Sequence, residues 1–235
     1  MGAGSLIVTP TYEERHNLPF FVNAVLAVAP GAHLLVVDDA SPDGTGDVAD
    51  DLAREDARVH VLHRRGKLGL GTAYVEGFEW GLARGYARFF EMDADLSHDP
   101  RHLPAFFREL DAGAEVVVGS RNVAGGGVEG WGPGRYLLSK GGSLYSRLIL
   151  GVPVRDLTTG YKAYTRRALE LLDLPSVRSN GYSFQIETTY RALRAGLRVV
   201  ETPILFVDRR AGESKMNRRI FAEAVLMVWK LRLGR

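Results

Sequence analysis

RFFEMDADLSHDP, residues Arg88–Pro100, drives an aromatic and apolar run (Phe89, Phe90, Met92) straight into two carboxylates, Asp93 and Asp95. The run has the length and composition of a buried strand, and the charges fall where such a strand leaves its sheet. In an extended chain residues i and i+2 point to one side, so Asp93 and Asp95 are expected on a common face. Paired hard oxygen donors that leave positions open for water or phosphate suit Mg²⁺ or Mn²⁺. An ion held this way can clamp a diphosphate as leaving group. A bare D-x-D fits an acidic turn at a strand end just as well, so the rest of the chain has to decide between the two.

Working outward, apolar strands alternate with helical patterns. Ser5–Thr9 is a strand predicted to stop at Pro10, and helical spacing follows from Asn17 to Ala29. His33–Val37, Arg58–Leu62 and Glu115–Gly119 are further strands, with helices over Thr45–Glu55, Gly71–Arg84 and Arg101–Asp111 between them. Strands and helices alternating through short loops give an α/β fold on a mixed, mainly parallel central sheet flanked by helices. Ligands bind such sheets outside the carboxyl ends of the strands. Three of those ends carry chemistry here: TPTYEE from Thr9, VDDASPDGT from Val37, and DAD from Asp93. The VDD turn offers Asp38 or Asp39 to a ribose or base, although Asp, Ser, Pro and Gly also make an ordinary turn and helix cap. KLGLGT, Lys67–Thr72, opens a helix where a phosphate could sit. No G-x-G-x-x-G follows the first strand, which disfavours dinucleotide and P-loop chemistry.

Beyond Gly119 the pattern changes. Asn122–Gly134 holds six glycines and is expected as a mobile loop. Arg121 and Arg135 flank it, and a helix over Arg135–Leu150 would put Arg135 and Ser139 on one face. Cations around a glycine-rich loop suit a second anion, separate from one at a metal. DLTTGYKAY (Asp156–Tyr164) is expected as a polar turn entering a short strand, and GYSFQIE (Gly181–Glu187) as a helix start. Gln185 and Glu187 suit hydroxyl recognition and helix starts alike. Two strands, Val199–Thr202 and Ile204–Asp208, lead into RRAGESK.

The 235 residues carry a formal charge of +2, too small to argue for nucleic acid, and no cysteine. Disulfides, thiolate metal sites and cysteine nucleophiles are therefore excluded; a reducing cytoplasm is compatible with this. The N-terminus lacks a secretory pattern, Leu6 breaks a myristoylation motif, and no apolar run reaches the ~20 residues of a membrane span. Residues 1–216 are expected to form one domain and 217–235 a basic amphipathic helix. That helix would either pack on the domain or lie on a membrane surface with its cations towards anionic lipid.

Taken in order, TPTYEE, VVDDASPDGT, KLGLGTAY, MDADLSH, VVGSR, DLTTGYKAY, GYSFQIE and FVDR…GESK closely resemble the polyprenyl-phosphate (dolichyl-phosphate) mannosyltransferases, inverting GT-A glycosyltransferases of family 2. The likeness covers nearly all of residues 5–217. It implies transfer of mannose from GDP-mannose to polyprenyl or dolichyl phosphate at the cytoplasmic face of a membrane, with Mg²⁺ or Mn²⁺. Asp93 and Asp95 then hold metal and diphosphate, with Ser97 at the third metal position, where the family often has Gln. Nucleotide-sugar contacts fall on Pro10, Tyr12, Glu14, Asp39 and Lys67, on Ala94 between the two carboxylates, and on Arg209 and Lys215. Arg121, Arg135 and Ser139 take the acceptor phosphate, and Asp156, Gln185 and Glu187 the sugar. Processive relatives carry Q-x-x-R-W, whereas Gln185 precedes Ile-Glu-Thr-Thr, which argues against polymer synthesis. Family members carry C-terminal spans or rely on a membrane-anchoring partner subunit; with one short helix after the domain, this chain is expected to resemble the type without its own anchor. The alternatives are a UDP-glucose-dependent glucosyltransferase on the same lipid and a non-catalytic nucleotide-sugar-binding module. TPTYEERHN is not the glycine-rich loop of a sugar-nucleotide pyrophosphorylase.

Overall fold

The computed structural model describes residues 1–177, 179, 181–208 and 227–233. Its strands are β1 (Ser5–Thr11), β2 (His33–Asp38), β3 (Val59–His63), β4 (Arg88–Glu91), β5 (Val116–Ser120), β6 (Gly127–Glu129), β7 (Lys162–Thr165), β8 (Val199–Pro203) and β9 (Leu205–Val207). Its helices are α1 (Leu18–Val28), α2 (Thr45–Glu55), α3 (Leu70–Ala83), α4 (Leu103–Asp111), α5 (Pro133–Leu150), α6 (Arg166–Leu171) and α7 (Tyr182–Arg194). Residues 227–233 are also helical.

Seven strands make the main sheet in the order β3-β2-β1-β4-β7-β5-β8. β7 runs antiparallel to both β4 and β5, while the other pairings are parallel. This is the mixed, mainly parallel sheet expected. Its inner strands β1, β2, β4 and β5 are buried on both faces and carry the apolar runs. Leu6, Val8, Leu35, Val37, Phe89 and Val116 pack with α3 and α7 on one side. Their neighbours Ile7, Leu34, Val36, Phe90 and Val117 pack with α1, α2 and α4 on the other. Residues two apart share a face, and one buried layer on each side fixes the register.

Three expectations need correcting. β1 continues through Pro10 to Thr11. The Val8 carbonyl accepts the Met92 N–H at 3.3 Å, and β1 pairs with β4 no further than Val8 opposite Glu91. Pro10 therefore turns its nitrogen to a side where β4 has ended, and its missing donor is not needed. The glycine-rich segment after Arg121 is not a structureless loop, because β6 pairs with β9 in a small parallel sheet. Gly126 makes that approach possible; a Cβ there would lie 2.3 Å from the Ser120 carbonyl oxygen. Finally, the short helix α6 was not foreseen.

The described part of the C-terminal helix packs on the body. Val228 is buried in the core with α3 and α7, and Met227 and Leu231 lie against it.

Candidate active site

The C-terminal ends of β1, β2, β4 and β5 open on one edge of the sheet. Because β7 is antiparallel, the Asp156–Gly160 turn that leads into it reaches the same edge. This topology gathers the motifs found along the sequence.

At β4 the strand ends at Glu91, so Asp95 lies beyond it in a turn where Leu96 takes a left-handed φ of 63°. The same-face argument from extended chain does not reach Asp95, and side-chain contacts set the geometry instead. Ser97 donates both its backbone N–H (3.0 Å) and its hydroxyl (2.6 Å) to Asp95 Oδ1. Ser97, expected as a third metal ligand, therefore orients Asp95. The buried His98 accepts the Asp93 N–H on Nδ1 at 3.0 Å, so its proton sits on Nε2, 3.9 Å from Asp93 Oδ2. The Tyr74 hydroxyl donates to Asp93 Oδ1 at 3.3 Å, and burial pushes the Tyr74 phenol well up, keeping it a donor. Ala94 is buried between the carboxylates.

The residues present fit a hard divalent cation. Their donors are carboxylate oxygens, and Asp93 is 30% exposed towards the opening. Gly160 leaves space beside it, since a Cβ would lie 3.9 Å from Asp93 Oδ1 and 3.3 Å from the His98 ring. Among the described residues no group of three or more His, Cys, Asp or Glu could enclose an ion. An ion here would be held by the two carboxylates, with the rest of its coordination left to other ligands.

At β1 and β2 the two aspartates divide their tasks. Asp38 accepts from Thr11 (3.1 Å) and from the Ser41 hydroxyl (2.6 Å) and N–H (3.1 Å), closing the turn. Asp39 is held by Arg64, whose side chain is 1% exposed. Arg64 also donates to Glu76 (3.0 Å) and Thr72 (2.6 Å) on α3 and to the Gly69 carbonyl (3.3 Å). Lys67 projects its ammonium 3.5 Å above the Tyr12 ring. The Glu14 carboxylate accepts from Asn17 at 2.8 Å. Pro10, Tyr12, Asp39 and Lys67 thus belong to one corner of the edge.

At β5, Arg121 makes a two-pronged pair with Asp156, at 2.7 Å from both Nε and Nη2, and its backbone N–H donates to the same carboxylate at 3.0 Å. Asp156 is fully buried. Burial alone would raise its pKa, but the Arg121 charge and hydrogen bonds outweigh it and hold the carboxyl below the usual range. Arg135 pairs with Asp208 at 2.6 Å, and its guanidinium carbon lies 4.4 Å from the Trp131 ring centre. Ser139 follows one turn later on α5, half-buried. Gln185 is buried, and its amide nitrogen lies 3.6 Å from where a Gly160 Cβ would be. Glu187 points elsewhere, to Arg191 (2.5 Å) and Ser179.

Residues 6–172 match the family model described as glycosyl transferase family 2. The chain belongs to that family.

Among curated relatives, this family-2 glycosyltransferase is 51% identical to a polyprenol monophosphomannose synthase of Mycolicibacterium smegmatis, over 97% of its own length and 87% of the relative's. It is 49% identical to an undecaprenyl-phosphate mannosyltransferase of Micrococcus luteus, over 95% and 91%. Among solved structures, glucosyl-3-phosphoglycerate synthase of Mycobacterium tuberculosis, in complex with Mn²⁺, UDP and glucosyl-3-phosphoglycerate, aligns with a TM-score of 0.69 at 20% identity. That alignment covers 99% of this chain and 81% of the other. The likeness is one of fold, and it makes the sheet of this glycosyltransferase the GT-A arrangement expected.

Of the residues expected at the site, Arg209 and Lys215 lie outside the described residues. The family-2 glycosyltransferase adds several that were not foreseen: Arg64 behind Asp39, Tyr74 and His98 behind Asp93, and Trp131 and Phe206 beside the two arginines. His98 stood in plain view within MDADLSH. Arg64 and Trp131 lie in stretches with no periodic or motif signal.

Proposed function

We propose that this glycosyltransferase moves mannose from GDP-mannose to the phosphate of a polyprenyl or dolichyl-type lipid, with inversion, releasing GDP. Half-identity along nearly the whole chain to two enzymes named for that lipid-phosphate chemistry carries the reading. The site supports it, with two carboxylates at the end of β4 and two arginines beyond β5 forming separate places for two anions.

A phosphate monoester has a second pKa of ~6 and attacks the anomeric carbon already ionised, so no general base is needed. The protein's part is orientation and charge placement. Asp93 and Asp95 would hold Mg²⁺ or Mn²⁺, fixed by His98, Tyr74 and Ser97; when bound, such an ion offsets the charge of the departing diphosphate. Pro10, Tyr12, Glu14, Asp39 and Lys67 would take the nucleotide, joined by Arg209 and Lys215. Arg121, Arg135 and Ser139 would receive the acceptor phosphate, and Asp156 would fix Arg121. Gln185, beside Gly160 and Asp93, is the residue of the expected sugar group best placed for a hydroxyl.

The lipid must reach this edge from a bilayer, and α5 supplies a surface for it. The helix buries Ser143 and Ser146 while exposing Leu137 (74%), Leu144 (54%) and Leu148 (72%). Those leucines recur at i, i+7 and i+11 along one stripe, with Lys140 and Arg147 beside it. A helix that exposes leucine and buries serine suits an interface of acyl chains and anionic headgroups. No helix among the described residues is long and apolar enough to cross a membrane. We place the enzyme peripherally on the cytoplasmic face, with or without an anchoring partner subunit.

The test is a transfer assay offering labelled GDP-mannose or UDP-glucose with a short polyprenyl phosphate and Mn²⁺, then counting organic-extractable label. Label from GDP-mannose alone is expected. Label from UDP-glucose alone overturns the sugar while keeping the acceptor.

A further inference from the structure

The small β6–β9 sheet carries two aromatic rings to the gap between the halves of the site. Trp131 follows β6 and packs edge-on against Phe206 of β9, with ring centres 5.3 Å apart. The Trp131 ring lies 4.4 Å from the Arg135 guanidinium and 5.5 Å from that of Arg121, so both cations address one indole. Phe206 lies 5.6 Å from the same Arg121 and meets His98 edge-on at 5.7 Å. His98 in turn accepts the Asp93 N–H. A continuous line of contacts thus runs from Asp93 through His98, Phe206 and Trp131 to both arginines.

Within this line one group lacks a partner among the described residues. The Trp131 indole Nε1 is buried and finds no hydrogen-bond acceptor among them. Buried donors in native proteins are almost always satisfied, and an orphan calls for a missing acceptor. The surroundings say which kind. Two guanidiniums converge on the indole, each held in place by a carboxylate, Asp156 for Arg121 and Asp208 for Arg135. An indole N–H is a donor only, and the positive edge of the ring favours an anion as its faces favour cations.

We infer that Trp131 is an acceptor-binding residue. Its N–H donates to an oxygen of the lipid phosphate monoester, while its ring spaces Arg121 and Arg135 to grip the others. This rests on the proposed function and deepens it. Without the ring the two guanidiniums would lose the surface against which both pack; without the N–H the phosphate would lose one of its donors.

Trp131→Phe separates the two roles, keeping a π face and removing the donor. Calorimetric titration with a short polyprenyl phosphate, in the presence of GDP and Mn²⁺, should show wild-type binding and an affinity lower by about tenfold in W131F, the scale of one hydrogen bond to a charged group. The acceptor KM should rise by a similar factor, with the GDP-mannose KM unmoved and kcat changed less than threefold. Trp131→Ala should weaken acceptor binding further, and the melting temperature of each variant reports whether it is folded. Equal affinity of W131F and wild type for the lipid phosphate overturns the inference alone. Wild type that fails to bind polyprenyl phosphate overturns the function on which it rests. Inorganic phosphate, titrated in parallel, should bind far more weakly than the lipid; equal binding of the two would mean a site for free phosphate and would also overturn the inference.

Discussion

Asp156→Asn is the sharpest single perturbation, because Asp156 was expected to touch sugar and the structure gives it a different neighbour. The carboxylate is fully buried and accepts three hydrogen bonds from Arg121, whose side chain is 7% exposed. The amide retains one acceptor oxygen but no charge, and its NH₂ faces a guanidinium. Removing one partner of a buried ion pair destabilises by roughly 3–5 kcal/mol. At about 2–4 °C per kcal/mol for a chain of this size, the melting temperature should fall by roughly 6–20 °C. The pH dependence separates this from a purely catalytic role. The folded-state pKa of Asp156 lies below its ordinary value, so its stabilisation is complete above the unfolded value of ~3.9. It is lost only as pH falls through the lower folded value. The gap in melting temperature between wild type and D156N should therefore be flat from about pH 8 to 5 and narrow below about pH 4. Replacing both partners, as R121M/D156L, should recover much of the stability while transfer stays lost. A D156N protein melting within about 2 °C of wild type, well short of the shift expected, would refute the counter-ion role.

Asp95→Ala should abolish transfer with little change in melting temperature, whereas Ser97→Ala should raise the Mn²⁺ concentration needed for half-maximal activity by about 10–100-fold, the usual effect of losing an orienting contact. Arg64→Met leaves the buried Asp39 without its cation; the GDP-mannose KM should rise about tenfold, equivalent to ~1.4 kcal/mol, while the acceptor KM holds. Gly77→Ala on α3 gains up to ~1 kcal/mol in helix propensity, but its Cβ would sit 2.5 Å from Val8 Cγ1, so a net loss of about 1–2 kcal/mol should appear in urea unfolding. Serine at 137, 144 and 148 together should abolish co-sedimentation with anionic liposomes while leaving transfer to a detergent-solubilised acceptor close to wild type.

The inner strands of the main sheet could be read from the sequence because they are buried on both faces and leave unbroken apolar runs, as in LIV of β1 and LLVV of β2. α2 was bounded correctly at Thr45–Glu55 because turn residues mark one end and a lone aspartate the other. β6 escaped because three residues rich in glycine carry no period, and only pairing with β9, some eighty residues on, makes them a strand. α6 hid in RRALEL, too short for a helical face to repeat. At the site, the carboxylates and arginines announced themselves by charge at strand ends. Their partners did not: Arg64 looked like one basic residue among several in HRRGK, and its role exists only through Asp39, Thr72 and Glu76, brought together by folding. Glu187, with credible motif company, turned out to serve its own helix through Arg191.

The placement of β7 also sets an order of assembly during synthesis. β1 to β4 pair among themselves using nothing beyond Glu91, so the corner carrying Tyr12, Asp39 and Lys67 has its strand pairings available before the rest of the chain is made. β5 emerges next but has no hydrogen-bonding contact with β4, because the strand that joins them, Lys162–Thr165, comes later and enters from the opposite direction. Until that suture closes, Arg121 has no fixed relation to Asp93, and Asp156, on the linker leading to the suture, cannot yet hold it. A chain ending before residue 160 would hold the β1–β4 pairings but lack β7, and with it the joint between the Asp93 and Arg121 sides of the sheet. The ends of β4 and β5 take up their fixed relation only once β7 lies between them, with β8 and β9 still to be added.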